Sequence, residues 1–166
     1  MKKKSEPFGI WYGSCVKGER KVFEISDFYK YCRSQQVDII PYAGCPQPGA
    51  TVRDGQHYAI FLDFTKLRST RLLRGVCCHE MGHAATGALH KVNSPYELVE
   101  RSEYRANRWS AEHFLTQEDF SCAFHDGCRQ LWELAEYFDL PEQDVSRALY
   151  YWTQCKGVDF NQADKT

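Results

Sequence analysis

The chain predicts an α+β fold, with a small N-terminal sheet packed on a helical bundle. Three observations carry that expectation. Short apolar runs punctuated by Gly and Pro fall between residues 37 and 62, and longer segments with helical apolar spacing fill most of 69–152. The first of those helical segments carries His79-Glu80-Met81-Gly82-His83. At 166 residues the chain suits one domain, long enough to bury about 70% of its unfolded surface.

The elements follow in order. Residues 1–22 carry Phe8, Trp11 and Tyr12 among Gly and Lys without a period, so 1–24 reads as an N-terminal extension. Ser26 or Asp27 is suited to cap a helix running to about Gln35, with Phe28, Tyr29 and Cys32 on a buried face. Val37-Asp38-Ile39-Ile40 reads as a strand ended by Pro41. Residues 50–53 and 57–62 form a hairpin around Asp54-Gly55. The next helix starts near Ser69 or Thr70 and runs toward Gly87 or His90. Ser94-Pro95-Tyr96-Glu97 has the pattern of a capping box opening a further helix through Leu98, Tyr104, Ala106, Trp109 and Phe114. Thr116 with Asp119 starts another helix that Gly127 ends. Leu131 to Phe138 and Glu142 to Trp152 add two more, leaving 156–166 as a tail.

Composition excludes several function classes. Lys and Arg number 21 against 22 Asp and Glu, so no bulk charge marks a nucleic-acid or anionic-membrane surface. No apolar run is long enough to span a membrane, and the Lys2 to Lys4 start leads into no apolar signal core, so the expected compartment is the cytoplasm. The eight cysteines are scattered through helical patterns, where reduced thiols are expected. Cys122, His125 and Cys128 offer three soft ligands but lack a Cys-x-x-Cys knuckle and a fourth ligand, which points to an inert role.

The chemistry concentrates at residues 79–83. Two histidines four apart lie about 40° from each other around a helix, so both imidazoles leave one face. Glu80 projects beside that face, placed to act on a water without ligating the metal. The spacing therefore supplies two ligands and a base, the arrangement of zinc hydrolases. A catalytic zinc needs a third protein ligand. Thr86 and Leu89 stand where a His-Glu-x-x-His-x-x-Gly-x-x-His pattern needs Gly and His, and His90 would lie roughly 10 Å along a straight helix from His83. Glu103 is the better candidate: if the chain folds back through Lys91-Val92-Asn93, it comes level with His83. Asn107, one turn further, can then fix the tautomer of a ligand histidine.

The motif at 79–83, followed by Glu103-Tyr104-Arg105-Ala106-Asn107-Arg108-Trp109-Ser110-Ala111 and by Phe114-Leu115-Thr116-Gln117-Glu118-Asp119-Phe120, resembles the ImmA/IrrE family of metallopeptidases. Leu134 to Phe138 and Val145 to Leu149 are similar to that family's C-terminal helices, and the resemblance covers about residues 25 to 152. Thr116-Gln117 departs from a frequent Met-Pro or Leu-Pro pair, and residues 1–22 match nothing in the family. The resemblance implies a zincin-like metallopeptidase domain over 25–155 with one Zn²⁺ held by His79, His83 and Glu103, Glu80 as catalytic base and Asn107 behind the ligands. It further implies cleavage of a helix-turn-helix transcriptional repressor.

Other readings use the same residues differently. A metal-dependent amidase would share the triad, a protein that disables a repressor by docking alone would not need Glu80, and a structural zinc would need a fourth ligand such as a cysteine. His57, His90, Tyr96, Tyr104, His113 and His125 are chemically able to act as a second oxyanion donor, and the strand at 57–62 could pair with an extended substrate.

Overall fold

The computed structural model describes residues 23–89 and 94–160, so the extension over 1–22, His90, the Lys91-Val92-Asn93 connection and residues 161–166 lie outside the described residues. The described chain is mixed α+β: six α-helices and a three-stranded sheet. Helix α1 (Ile25–Gln35) follows Glu24, which makes no side-chain cap bond. The expected caps are thus displaced. Ser26 and Asp27 lie inside the helix, and Asp27 is buried with Lys30 Nζ 3.1 Å away. The buried face is Phe28, Tyr31 and Cys32, and Tyr29 is 48% exposed. Positions i, i+3 and i+4 share a helix face, and i+1 turns away from it.

Strands β1 (Val37–Pro41), β2 (Gly49–Asp54) and β3 (His57–Leu62) form a sheet in the order β1-β3-β2. β2 and β3 are the expected hairpin, antiparallel with Asp54 opposite His57, and Gly55 supplies a positive φ of 59° in the two-residue turn. β1 pairs parallel to β3. Since β3 is central, both its edges are used, and it cannot be the strand on which a substrate pairs; β2 is an edge.

Helix α2 (Thr70–Thr86) starts as expected, with Ser69 Oγ accepting the Leu72 N–H at 3.1 Å, and ends on Gly87 in the left-handed region. Met81, the third residue of the motif, is fully enclosed and faces the core with Ile60, Leu62 and Cys77. Burial of one such side chain contributes about 1.5–3 kcal/mol, so the motif helix is anchored from behind its ligand face.

Helix α3 (Tyr96–Phe114) packs against α2. Its cap residue is Pro95, one position after the expected Ser94, and Pro95 makes no side-chain cap bond. Of its apolar residues only Ala106 and Ala111 are buried, and Leu98 and Tyr104 face outward. The close approach explains this: a Cβ on Gly82 would lie 2.4 Å from the Ala106 carbonyl oxygen, so the two helices meet backbone to backbone. Ser110 Oγ donates to the Cys78 carbonyl at 2.7 Å, and Arg105 donates to that of Thr86 at 2.9 Å.

Helix α4 (Gln117–His125) opens with the capping box of Thr116 and Asp119, α5 (Leu131–Phe138) has its expected bounds, and α6 (Glu142–Tyr150) continues as a π-helical turn over Tyr151–Cys155. Phe120, Leu134, Phe138 and Val145 complete the core. Cys32, Cys45, Cys77, Cys78, Cys128 and Cys155 are reduced, and Cys122 is disulfide-bonded, a correction to the expectation of thiols throughout. Among the described residues no helix is long and apolar enough to cross a membrane.

Candidate metal centre

His79 and His83 leave the same face of α2, and each ring is fixed from behind. His79 Nδ1 lies 3.0 Å from Asn107 Oδ1, and His83 Nδ1 lies 2.5 Å from the Ala88 carbonyl, which also accepts from Ser102 Oγ at 2.5 Å. Both oxygens accept only, so each Nδ1 carries the proton and each Nε2 turns a lone pair forward. The Nε2 atoms stand 3.0 Å apart, with Glu103 Oε2 3.2 Å from His79 Nε2 and Glu103 Oε1 3.3 Å from His83 Nε2. Glu103 is therefore level with both histidines, as the fold-back predicts.

Two lone pairs and a carboxylate facing one another require a positive charge between them. The electrostatics express this need. With a proton on the ring nitrogens in place of a metal ion, hydrogen bonds from His79 and His83 hold the Glu103 carboxyl far below its usual range, against the effect of burial. Burial alone would lower the His79 pKa, but Glu103, Glu80 and Asn107 together leave it raised. The three ligand atoms lie within 4.8 Å of one another, and this cluster can hold a metal ion. Among the described residues no cysteine joins it. Cys77 and Cys78 adjoin His79 in sequence but are buried, and burial raises both thiol pKa values well above normal, so neither offers a thiolate.

Glu80 stands beside the ligand face and is 5% exposed. Thr51 Oγ1, on β2, lies 2.7 Å from Glu80 Oε2 and 3.1 Å from the Glu80 carbonyl, and its single proton serves one of them. Gly49 admits this approach: a Cβ there would lie 2.5 Å from Val76 Cγ1 and 3.1 Å from Glu80 Oε1. Thr51 and Gly49 carry no signal in the sequence, because only the seating of β2 on α2 brings them to the motif.

The triad and Glu80 open into a cleft of about 630 Å³, walled by Gly49 to Val52 of β2, by α2 and α3, and by Pro141, Gln143, Asp144 and Arg147 at α6. Asp144 Oδ1 accepts from Arg147 at 2.9 Å, and burial pushes the Asp144 carboxyl up against the pull of Arg147 and His79. Sequence reasoning missed this pair, since an Asp and an Arg three apart on a helix look like a solvated ion pair. None of the described oxyanion candidates lines the cleft. Tyr96 is 74% exposed, His113 stacks on Trp109 with Nδ1 2.7 Å from its carbonyl, and His125 lies beside Asp126. Comparison with protein-family models, with curated proteins and with solved structures finds no match.

Proposed function

We propose that this chain is a cytoplasmic zinc metallo-endopeptidase of ImmA/IrrE type, with a zincin-like fold, that cleaves a helix-turn-helix transcriptional repressor. One observation carries the reading: two histidine lone pairs and the Glu103 carboxylate converge in a cleft where Glu80 adjoins them without being one of them. His79, His83 and Glu103 would hold the zinc, since two imidazoles and a carboxylate are a hydrolytic zinc set with a fourth position left for chemistry. Zinc bound there supplies an acidified water and polarises a scissile carbonyl.

This chain's own residues do the remainder. Glu80 accepts the proton of the attacking water and returns it to the leaving amine, and Thr51 fixes which carboxylate oxygen turns to the cleft. Asn107 and the Ala88 carbonyl hold both imidazoles in the ligating tautomer. The edge of β2 beside the cleft offers main-chain groups on which an extended segment can pair. The repressor as substrate rests on the motif resemblance, with support from the near-zero net charge, which suits a protein that acts on a DNA-binding partner and not on DNA.

The test uses purified full chain, a repressor encoded beside it and a chelator control. Roughly one zinc per chain is expected, lost in Glu103→Ala, together with repressor fragments and loss of operator binding. Operator binding lost equally with Glu80→Gln and no fragments would establish the docking-only alternative.

A further inference from the structure

A second cavity of about 310 Å³, lined from α3 and α6, shares Arg147 with the metal cleft. Tyr104, Asn107 and Arg108 come from α3, at spacings of three and four that share a face. Arg147, Tyr150 and Tyr151 come from α6 and its π-helical continuation. Asn107 is the residue that holds His79, and Arg147 lines both this cavity and the metal cleft, so the two spaces adjoin at the guanidinium.

The lining holds two guanidiniums and no carboxylate. Each guanidinium is braced from outside the cavity: Arg147 NH1 donates to Asp144 at 2.9 Å, and Arg108 Nε donates to Glu112 at 3.1 Å. A guanidinium has five N–H donors, so the single Asp144 brace leaves Arg147 a planar fork for a second acceptor, while Arg108, bonded to Glu112 and Tyr151, contributes mainly its charge. At about 310 Å³ the cavity lies at the small end of ligand sites and has room for a side chain.

We propose that Arg147, with Arg108 across the cavity, forms a subsite that takes an acidic side chain of the peptide lying in the metal cleft. The proposal rests on the peptidase reading for its substrate class, and it adds a sequence preference to that reading. Arg147 is the specificity residue: its Asp144 brace fixes the fork at the junction, and Arg108 adds a second positive charge on the far wall. A neutral amide of the same shape would leave the paired donors without a charged acceptor, so discrimination comes from charge-assisted hydrogen bonding.

The experiment measures binding, which does not depend on turnover. Zinc-loaded full chain bearing Glu80→Gln is titrated with labelled octapeptides of Ala and Ser in which one Glu, Gln or Lys is scanned through the positions. Glu is expected to bind at least about tenfold tighter than Gln at one position. That preference should vanish with Arg147→Gln added and shift toward Lys with Arg147→Glu, while Arg108→Gln, on the opposite wall, weakens it in part. Equal binding of Glu and Gln peptides, a preference that survives Arg147→Gln, or no binding of any peptide overturns the proposal. An acidic preference in this assay with no fragments from the wild-type chain would uphold the subsite and refute the peptidase reading instead.

Discussion

Two buried carboxylates, Asp63 and Glu80, do different work, and the difference lies in what their oxygens are given. Asp63 is fully enclosed after β3. Its Oδ1 accepts from Thr65 Oγ1 at 2.5 Å and Thr65 N at 3.0 Å, and its Oδ2 accepts from Gly44 N at 2.9 Å with Lys66 Nζ 3.9 Å away. Oδ1 is consumed in the turn at Thr65, and Oδ2 in tying the 42–48 loop, through Gly44, to the end of the sheet. Glu80 is nearly as buried, yet only its Oε2 takes a side-chain bond, from Thr51, and the residue lines the cleft. A buried carboxylate whose acceptors are filled on both sides is a fastening, and one filled on a single side keeps an acceptor for chemistry.

The comparison breaks first at Glu80. Replacement by Gln keeps shape and removes basicity, so turnover should fall by about 10²–10⁴ while zinc content and melting temperature stay near wild type. A large loss of stability would place Glu80 with Asp63 as a fastening. Asn107→Ala comes next: it removes the acceptor behind His79, and zinc affinity measured by competition with a chelating dye should fall by about 10–100-fold. Unchanged affinity would show that α2 alone orients the ring.

Asp63→Asn should do the reverse of Glu80→Gln, lowering the melting temperature by a few degrees and leaving turnover per folded zinc-bound chain unchanged. Its pH dependence sharpens the point. Hydrogen bonds from Thr65 and Gly44 hold the native Asp63 carboxyl below its ordinary value. Its stabilising contribution is therefore present above the unfolded-state carboxylate pKa and lost as pH falls through the lowered native one. Thermal melts of wild type and Asp63→Asn should converge toward acid pH; a gap that widens there would contradict the assignment. The smallest effect is expected of Thr51→Val, which removes the hydroxyl holding Glu80 and keeps the strand-forming shape. Turnover should drop several-fold without change in zinc content, and no change would mean that the Gly49 contact suffices to place the carboxylate.

Local pattern made the candidate ligands legible. The spacing of His79 and His83 needs only helical geometry, and Glu103 with Asn107 needs only a second helix folded back on the first. The Asp54-Gly55 turn, the Ser69 and Thr116 caps and the bounds of α5 are likewise short-range, set by residues within four of one another. At Asp27 and Ser94 the helix bounds differ from the local pattern: α1 begins at Ile25 with Asp27 inside it and buried, and α3 begins after Pro95.

The partners of those ligands were decided by tertiary structure. Thr51 meets Glu80 across 29 positions, Ser102 shares the Ala88 carbonyl with His83, and α6 brings Arg147 into the wall of the cleft. The sequence by itself determined which side chains share a helix face, because periodicity is a property of one element. What faces that element depends on strand order, on glycines at 49 and 82 that let backbones touch, and on the angle at which α6 arrives, none of which a one-dimensional pattern contains.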